Sequence, residues 1–245
     1  MEEDKKLTVT GHLLELRSRL VKSVIALVVC IGISIPLARY VFEILKSRAP
    51  GTDFVFTDVT EMLGIYMKVI FYCGIALSLP YFIYHLVMFL SPALNERQRR
   101  YVYLGIPLSF FLFAAGVCCA YFIFLPPALH FLLYFGSDIA RPMITISNYV
   151  GVLVRLLFAV GLVFEIPLVI TLLARLGVVS PRRLAKGRKW AVLGAFVLGA
   201  IITPTVDPVN QTLVAAPIIV LYELSIWLAK LVYPRQAPAP SPAPE

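Results

Sequence analysis

Two short stretches of this chain place charged side chains where charge is expensive. Glu165 and Arg155 interrupt an otherwise apolar run from Tyr149 to Ala174, and Pro167 follows two residues after the glutamate. A charged side chain in the middle of a bilayer costs at least about 2.5–3.5 kcal/mol, so Glu165 needs a purpose. The uncharged acid is the cheaper form there, which makes hydrogen bonding its chemistry, within its own bundle or with another membrane helix. Pro167 lacks an N–H and frees a backbone carbonyl one turn back, adding an acceptor nearby. Arg155 is ten residues earlier, about 15 Å along a helix, and its long stem lets the guanidinium snorkel outward. The second stretch is Gly11-His12-Leu13-Leu14-Glu15-Leu16-Arg17-Ser18-Arg19-Leu20. Leu13, Leu16 and Leu20 recur on one helical face, and Glu15 precedes Arg19 by four residues, the favoured order for a helical ion pair. This segment reads as a helix entering a membrane. Its charges either form a solvated interfacial turn or offer a carboxylate to a cation.

Other chemistries lack their residues. Cys30, Cys73, Cys118 and Cys119 all fall within apolar runs without a CxxC, as small buried hydrophobes do. His12, His85 and His130 have no ligand-like spacing, so neither a metal nor another cofactor is expected. The chain contains no GxSxG, no HExxH, no paired intramembrane aspartates and no Walker A sequence. These absences disfavour an intramembrane hydrolase, and any transport would be driven by a partner or a gradient. The expectation is a protein that is not an enzyme.

The elements that must carry these residues are membrane helices. Of 245 residues, 60% are hydrophobic and 15% charged, and the mean hydropathy is +0.86, which excludes a soluble single domain. Six apolar segments emerge, at about 21–38, 69–90, 101–125, 149–174, 190–203 and 209–231, within one membrane domain covering 1–233. The third is expected to stop at Pro126-Pro127. The clean core of the fifth, Trp190–Ile202, is only 13 residues. It rises about 20 Å against a hydrocarbon core of about 30 Å, so the bilayer thins there or the following turn lies below the outer surface. The net charge of +8 is a topology signal and not a nucleic-acid footprint. Sixteen Lys and Arg flank one side of the six-span arrangement and five the other, which puts both termini in the cytoplasm. The outer connections 39–68 and 126–148 are long enough to cap the outer face. Residues 234–245 are Pro/Ala-rich and read as a disordered tail. The N-terminus, charged and polar through Lys6, does not read as a cleavable signal peptide.

Taken together, four stretches resemble the TatC family, the receptor subunit of the twin-arginine protein translocase. His12-Leu13-Leu14-Glu15-Leu16-Arg17-Ser18-Arg19-Leu20 fits that family's HLxELRxRL opening. Ser91-Pro92-Ala93-Leu94, with the basic run ending at Arg99-Arg100, is similar to its first cytoplasmic loop. Phe164-Glu165-Ile166-Pro167 matches its fourth span. Thr203-Pro204-Thr205-Val206-Asp207-Pro208-Val209-Asn210-Gln211 is similar to its last outer turn. The four occur in family order, on the sides the charge distribution assigns, and together cover about residues 7–233.

The resemblance implies an all-α, six-helix, concave glove-like bundle in a bacterial or archaeal cytoplasmic membrane. It implies a receptor that binds twin-arginine signal peptides and moves folded proteins across the membrane with the proton-motive force. Its partners would be TatA- and TatB-type single-span helices, membrane lipid and further copies of itself within a larger complex. Glu15 matches the family's first arginine-binding carboxylate, flanked by Leu16, Arg17 and Arg19. The second position departs from the pattern: an ungapped match puts Gln98 where the family has glutamate, with Glu96 two residues earlier and facing about 200° away on a helix. Glu96 is the preferred contact, through a loop shift, with Gln98 as an uncharged alternative. The resemblance assigns Glu165, beside Pro167, to a concave surface linked to partner helices, and Asp207 and Gln211 to partner contacts at the outer turn. The reading from another class is a secondary transporter of a small solute using Glu165, which would want internal repeats and a second intramembrane carboxylate.

Reporter fusions after Glu61, Asp138 and Asp207 should all report the outer side. A cytoplasmic result for the Asp138 fusion would break the six-span topology.

Overall fold

The computed structural model describes residues 9–48, 54–55, 58–90, 96–134, 144–203 and 208–233. Among these residues the structure is helical, apart from turns and one isolated bridge. The helices are α1 (Val9–Lys46), α2 (Glu61–Leu90), α3 (Glu96–Cys119), α4 (Leu125–Tyr134), α5 (Ile146–Phe164), α6 (Ile166–Arg175), α7 (Pro181–Lys186), α8 (Arg188–Ile202) and α9 (Pro208–Val232). Five stretches are long and apolar enough to cross a membrane: Leu13–Lys46, Glu61–Phe89, Arg100–His130, Ile146–Arg175 and Val214–Val232. The expected fifth span is the helix α8, whose 15 residues rise about 22 Å and fall short of a full hydrocarbon thickness.

Several sequence-based boundaries move. The first span is expected over 21–38, entered by a helix from Gly11; α1 runs for 38 residues, about 57 Å, so it projects beyond the hydrocarbon at both ends. Its extension to Lys46, and the start of α2 at Glu61, absorb much of the connection assigned to 39–68. Arg39 and Glu43, four apart on α1, lie within 3.4 Å of each other and fit a helical surface as well as a loop. Pro126-Pro127 does not stop the third segment. A π-helical turn over Ala120–Phe124 passes directly into α4, and its wider bonding, with the Leu125 N–H on Ala120 O, lets the helix run on past two prolines that lack an N–H. The fourth segment divides at Glu165 into α5 and α6, with Pro167 in the first turn of α6. The basic loop carries α7, not anticipated from the sequence; it is opened by Ser180, whose hydroxyl accepts from the Arg183 N–H at 3.4 Å, and by Pro181 at its first position. Residues 234–245 lie outside the described residues.

α2 packs between α1 and α3, antiparallel to both. The glycine at 74 sets the first contact: a Cβ there would lie 2.5 Å from Ile31 Cγ1 and 2.8 Å from Ile31 Cα, so only a bare Cα lets the two backbones approach this closely. Phe42 stacks on Tyr66 farther along the same seam, with ring centroids 5.3 Å apart. α5 packs on α3 by the same device, because a Cβ at Gly116 would meet Gly161 Cα at 2.9 Å. α9 packs on α6 and α8. The main core joins the C-terminal half of α1, α2, the π turn, α5, α8 and α9. A second cluster of Ile83, Val87, Val102, Leu168 and Leu172 binds the opposite ends of α2, α3 and α6.

The two connections that the sequence assigns to the outer side meet. Val55 and Thr145 form the isolated parallel bridge, with the Val55 N–H donating to Ile144 O at 3.2 Å and the Ile146 N–H to Val55 O at 3.4 Å. Glu61 accepts from the Ser147 N–H at 3.0 Å, and the Tyr149 hydroxyl donates to Leu45 O at 3.1 Å. The fully buried Tyr149 thereby satisfies both its own hydroxyl and a carbonyl in the last turn of α1.

Gly74→Val should destabilise the protein in detergent by about 1–3 kcal/mol, read as a lowered thermal midpoint. Gly32→Ala, where an added Cβ meets nothing within 4 Å, should leave the midpoint unchanged or raise it.

Candidate functional site

Antiparallel packing gathers the N-terminal half of α1, the end of α2 and the start of α3 at one end of the bundle. On α1, Glu15 Oε1 accepts from Arg19 Nε at 2.9 Å and also from Arg19 Nη2. The pair is largely covered, with Arg19 19% and Glu15 25% exposed, whereas Leu16 and Arg17 on the same helix are exposed. Helical spacing explains the arrangement: i and i+4 stack on one face while 16 and 17 turn away. Glu15, Arg19, Leu16 and Arg17 thus form one helical rim, with an ion pair on one side and an open apolar and cationic face on the other. Glu96 and Gln98 both fall in the first turn of α3; their side chains lie outside the described residues.

His85 joins this end of the molecule from α2, a residue that sequence spacing leaves without a role. The register set by Gly74 on Ile31 and Phe42 on Tyr66 brings it level with Arg19–Lys22 on α1. The ring is 8% exposed, held edge-on by Tyr81 at 4.4 Å and Tyr84 at 5.1 Å between centroids. Neither ring nitrogen has a partner among the described residues.

A second polar centre lies deeper. Glu165 caps α5 and opens α6, 4% exposed. Its Oε1 accepts from the Ser109 hydroxyl of α3 at 2.9 Å, and its Oε2 is buried with no partner among the described residues. The resemblance assigns Glu165 to a concave surface; here it is enclosed between helices, with one oxygen in reserve. Pro167 is buried beside it. The sequence held a signal for Ser109 that residue spacing alone does not catch. In the third segment it is the lone hydroxyl outside the tyrosines, and it stands about as many residues from that segment's basic end as Glu165 stands from Arg175. Equal depth on antiparallel helices makes the two neighbours.

At the opposite end, Gln211 is on α9 and its Nε2 donates to Phe196 O of α8 at 2.9 Å. It ties the two short helices together where Gly199 lets them approach; a Cβ there would lie 3.0 Å from Gln211 O. Asp207 lies outside the described residues. Arg155 is exposed on α5, in keeping with a snorkelling side chain. Arg175, at the end of α6, donates to Tyr101 Oη at 2.8 Å and to Val232 O at 3.2 Å, closing α3, α6 and α9 together. No group of three or more His, Cys, Asp or Glu suited to a metal occurs among the described residues.

Residues 11–217 match the family model for the Sec-independent protein translocase protein TatC. The Sec-independent protein translocase protein TatC of Carboxydothermus hydrogenoformans is 39% identical over 236 residues, covering 96% of this chain and 97% of that protein. The protein of the same name from Aquifex aeolicus is 40% identical over 231 residues, covering 91% and 94%. A crystal structure of the twin-arginine translocase receptor TatC superposes with a TM-score of 0.78 at 39% identity, covering 90% of this chain and 99% of that one.

Glu165→Leu should lower the thermal midpoint in detergent, because the buried Ser109 hydroxyl loses its acceptor at a cost of about 1–3 kcal/mol. Glu165→Gln keeps a carbonyl acceptor and should lose much less. Equal melting of the two variants would show that Ser109 draws nothing from this contact.

Proposed function

Because this chain belongs to the TatC family of Sec-independent protein translocase proteins, we propose that it is the membrane receptor of a twin-arginine translocase. It binds the signal peptides of folded cargo at the rim of α1 and α3 and serves as the core subunit through which that cargo crosses, driven by the proton-motive force. The observation that carries this reading is the half-covered carboxylate of Glu15, held on a rigid helix at the membrane entry beside exposed Leu16 and Arg17. A carboxylate matches the fork of a guanidinium bidentately, and partial burial strengthens the contact over one made in water. Leu16 offers apolar surface to the peptide beyond its arginines. Glu96, or Gln98 in its place, supplies the second contact from the first turn of α3.

In the same reading both termini face the cytoplasm, and α8 with α9 completes six crossings. The pairing of α8 and α9 through Gln211 supports a thin region on that side of the bundle, where TatA- and TatB-type helices dock against Asp207 and Gln211. The unpartnered Oε2 of Glu165 is an acceptor for a polar side chain of such a helix once the bundle opens toward it; Pro167 sets the break that allows this. Several copies assemble in the working translocase within a bacterial or archaeal cytoplasmic membrane. Transport of a small solute through Glu165 has no observation in its favour, since its carboxyl is enclosed against Ser109.

Glu15→Ala should insert into the membrane normally and bind a twin-arginine peptide more weakly by about 1.5–3 kcal/mol, roughly ten- to a hundredfold in affinity. Titration of purified receptor with labelled peptide checks this, and wild-type affinity would remove Glu15 from the site. In the same titration, Glu96→Gln and Gln98→Ala separate the two candidates on α3: the variant that loses affinity marks the residue used.

A further inference from the structure

The carboxylate read as the peptide site is already in use. Glu15 Oε1 accepts two N–H groups of Arg19, from Nε at 2.9 Å and from Nη2. A signal-peptide arginine arriving at Glu15 therefore meets a guanidinium of the same chemistry in place. Exchange of one guanidinium for another keeps the local charge pairing, so the incoming group needs only to match the fork. A lysine ammonium is a point donor that makes a poorer bidentate partner and competes at a disadvantage.

The departing guanidinium needs somewhere to go, and the facing helix provides it. The α1–α2 register, with Gly74 on Ile31 and Tyr66 on Phe42, brings Arg19 and Lys22 level with the His85 ring, whose two nitrogens have no partner among the described residues. A neutral imidazole carries one acceptor nitrogen. A buried acceptor left unpaired is costly, so filling it favours the exchanged arrangement. The tyrosines at 81 and 84 wall the ring on its own helix. Ser23, one turn beyond Arg19, is buried.

We propose that Arg19 is a specificity-determining internal ligand: it occupies Glu15 in the peptide-free receptor, yields it to a signal-peptide arginine, and passes to the His85 imidazole across the α1–α2 seam. This rests on Glu15 being the peptide-binding carboxylate. Discrimination of arginine from lysine then arises from competition inside the receptor as well as from contact with the peptide.

The test uses the full-length protein in detergent and synthetic signal peptides carrying Arg-Arg or Lys-Lys. Arg19→Lys keeps the charge and weakens the fork. It should tighten Arg-Arg binding about two- to fivefold and narrow the preference for Arg-Arg over Lys-Lys. His85→Phe, which keeps the ring's bulk, should weaken Arg-Arg binding by a similar factor, and this loss should vanish in an Arg19→Gln background, where no guanidinium needs the acceptor. Unchanged or weaker binding by Arg19→Lys, or an equal His85→Phe effect in both backgrounds, overturns the proposal. Where a variant fails to fold, the wild-type protein decides: the ¹⁵Nε resonance of Arg19 should shift on adding Arg-Arg peptide, and an unmoved resonance at saturation overturns the proposal. Glu15→Gln separates the premise from the inference. Undiminished Arg-Arg binding by Glu15→Gln defeats the peptide-site reading itself, whereas its loss beside an unaltered Arg19→Lys defeats only the exchange.

Discussion

Buried polar groups in a hydrocarbon solvent must find their partners inside the protein, and most of those among the described residues do. Water is not there to satisfy an orphan, so each buried hydroxyl, carboxyl or freed carbonyl needs a protein partner or carries a penalty. The hydroxyls of Ser34, Ser78, Ser225 and Thr203 turn back on carbonyls of their own helices. Tyr149 reaches Leu45, Gln211 reaches Phe196, and Ser109 reaches Glu165. Among the described residues the unmatched buried side-chain atoms are the second oxygen of Glu165, the two nitrogens of His85, Arg48 Nε and Thr171 Oγ1. Glu165 lies at the break between α5 and α6, and His85 lies level with the Arg19 end of α1.

The same constraint shapes the bundle. Helices in lipid gain little from apolar burial against one another, so close approach and polar ties hold them. Gly74, Gly116 and Gly161 give α1–α2 and α3–α5 their contacts, and Gly199 gives α8–α9 its own. The prolines at 36, 80, 107 and 217 stay inside helices, as membrane helices allow. Rigid packing matters for recognition, because a carboxylate that must select a guanidinium by shape has to be held still. Glu15 is held by its position on a continuous 38-residue helix seamed to α2.

The sequence made the membrane class, the helical architecture and the family legible, since these rest on composition, long apolar runs and motifs in fixed order. The pairing of Glu15 with Arg19 followed from helical spacing alone. Helix ends did not follow. The charge-free apolar run ends at Ala38, so the sequence assigns 39–68 to a connection, yet Arg39 and Glu43, spaced four apart, fit the surface of a helix that outgrows the bilayer. Pro126-Pro127 reads as a stop, yet the π turn directly before the pair lets the helix continue. The enclosure of Glu165 was hidden because its partner is 56 residues away, and only the matched depth of Ser109 on an antiparallel helix pointed to it. His85 was passed over for lack of ligand-like spacing; its significance lies in being buried without a partner, which no spacing reveals.

The receptor reading ties these pieces to one place, the rim where α1 enters the membrane beside the start of α3. In that reading a folded cargo's signal peptide meets a covered carboxylate, an exposed leucine and the proposed internal arginine there. Site-specific photo-cross-linking tests it most directly, with the reactive group placed next to the paired arginines of a signal peptide bound to the intact receptor. The account predicts adducts confined to residues 13–20 of α1 and the first turn of α3, lost when both arginines are replaced by lysine. Adducts concentrated on α8 and α9, or unaffected by that replacement, would contradict it.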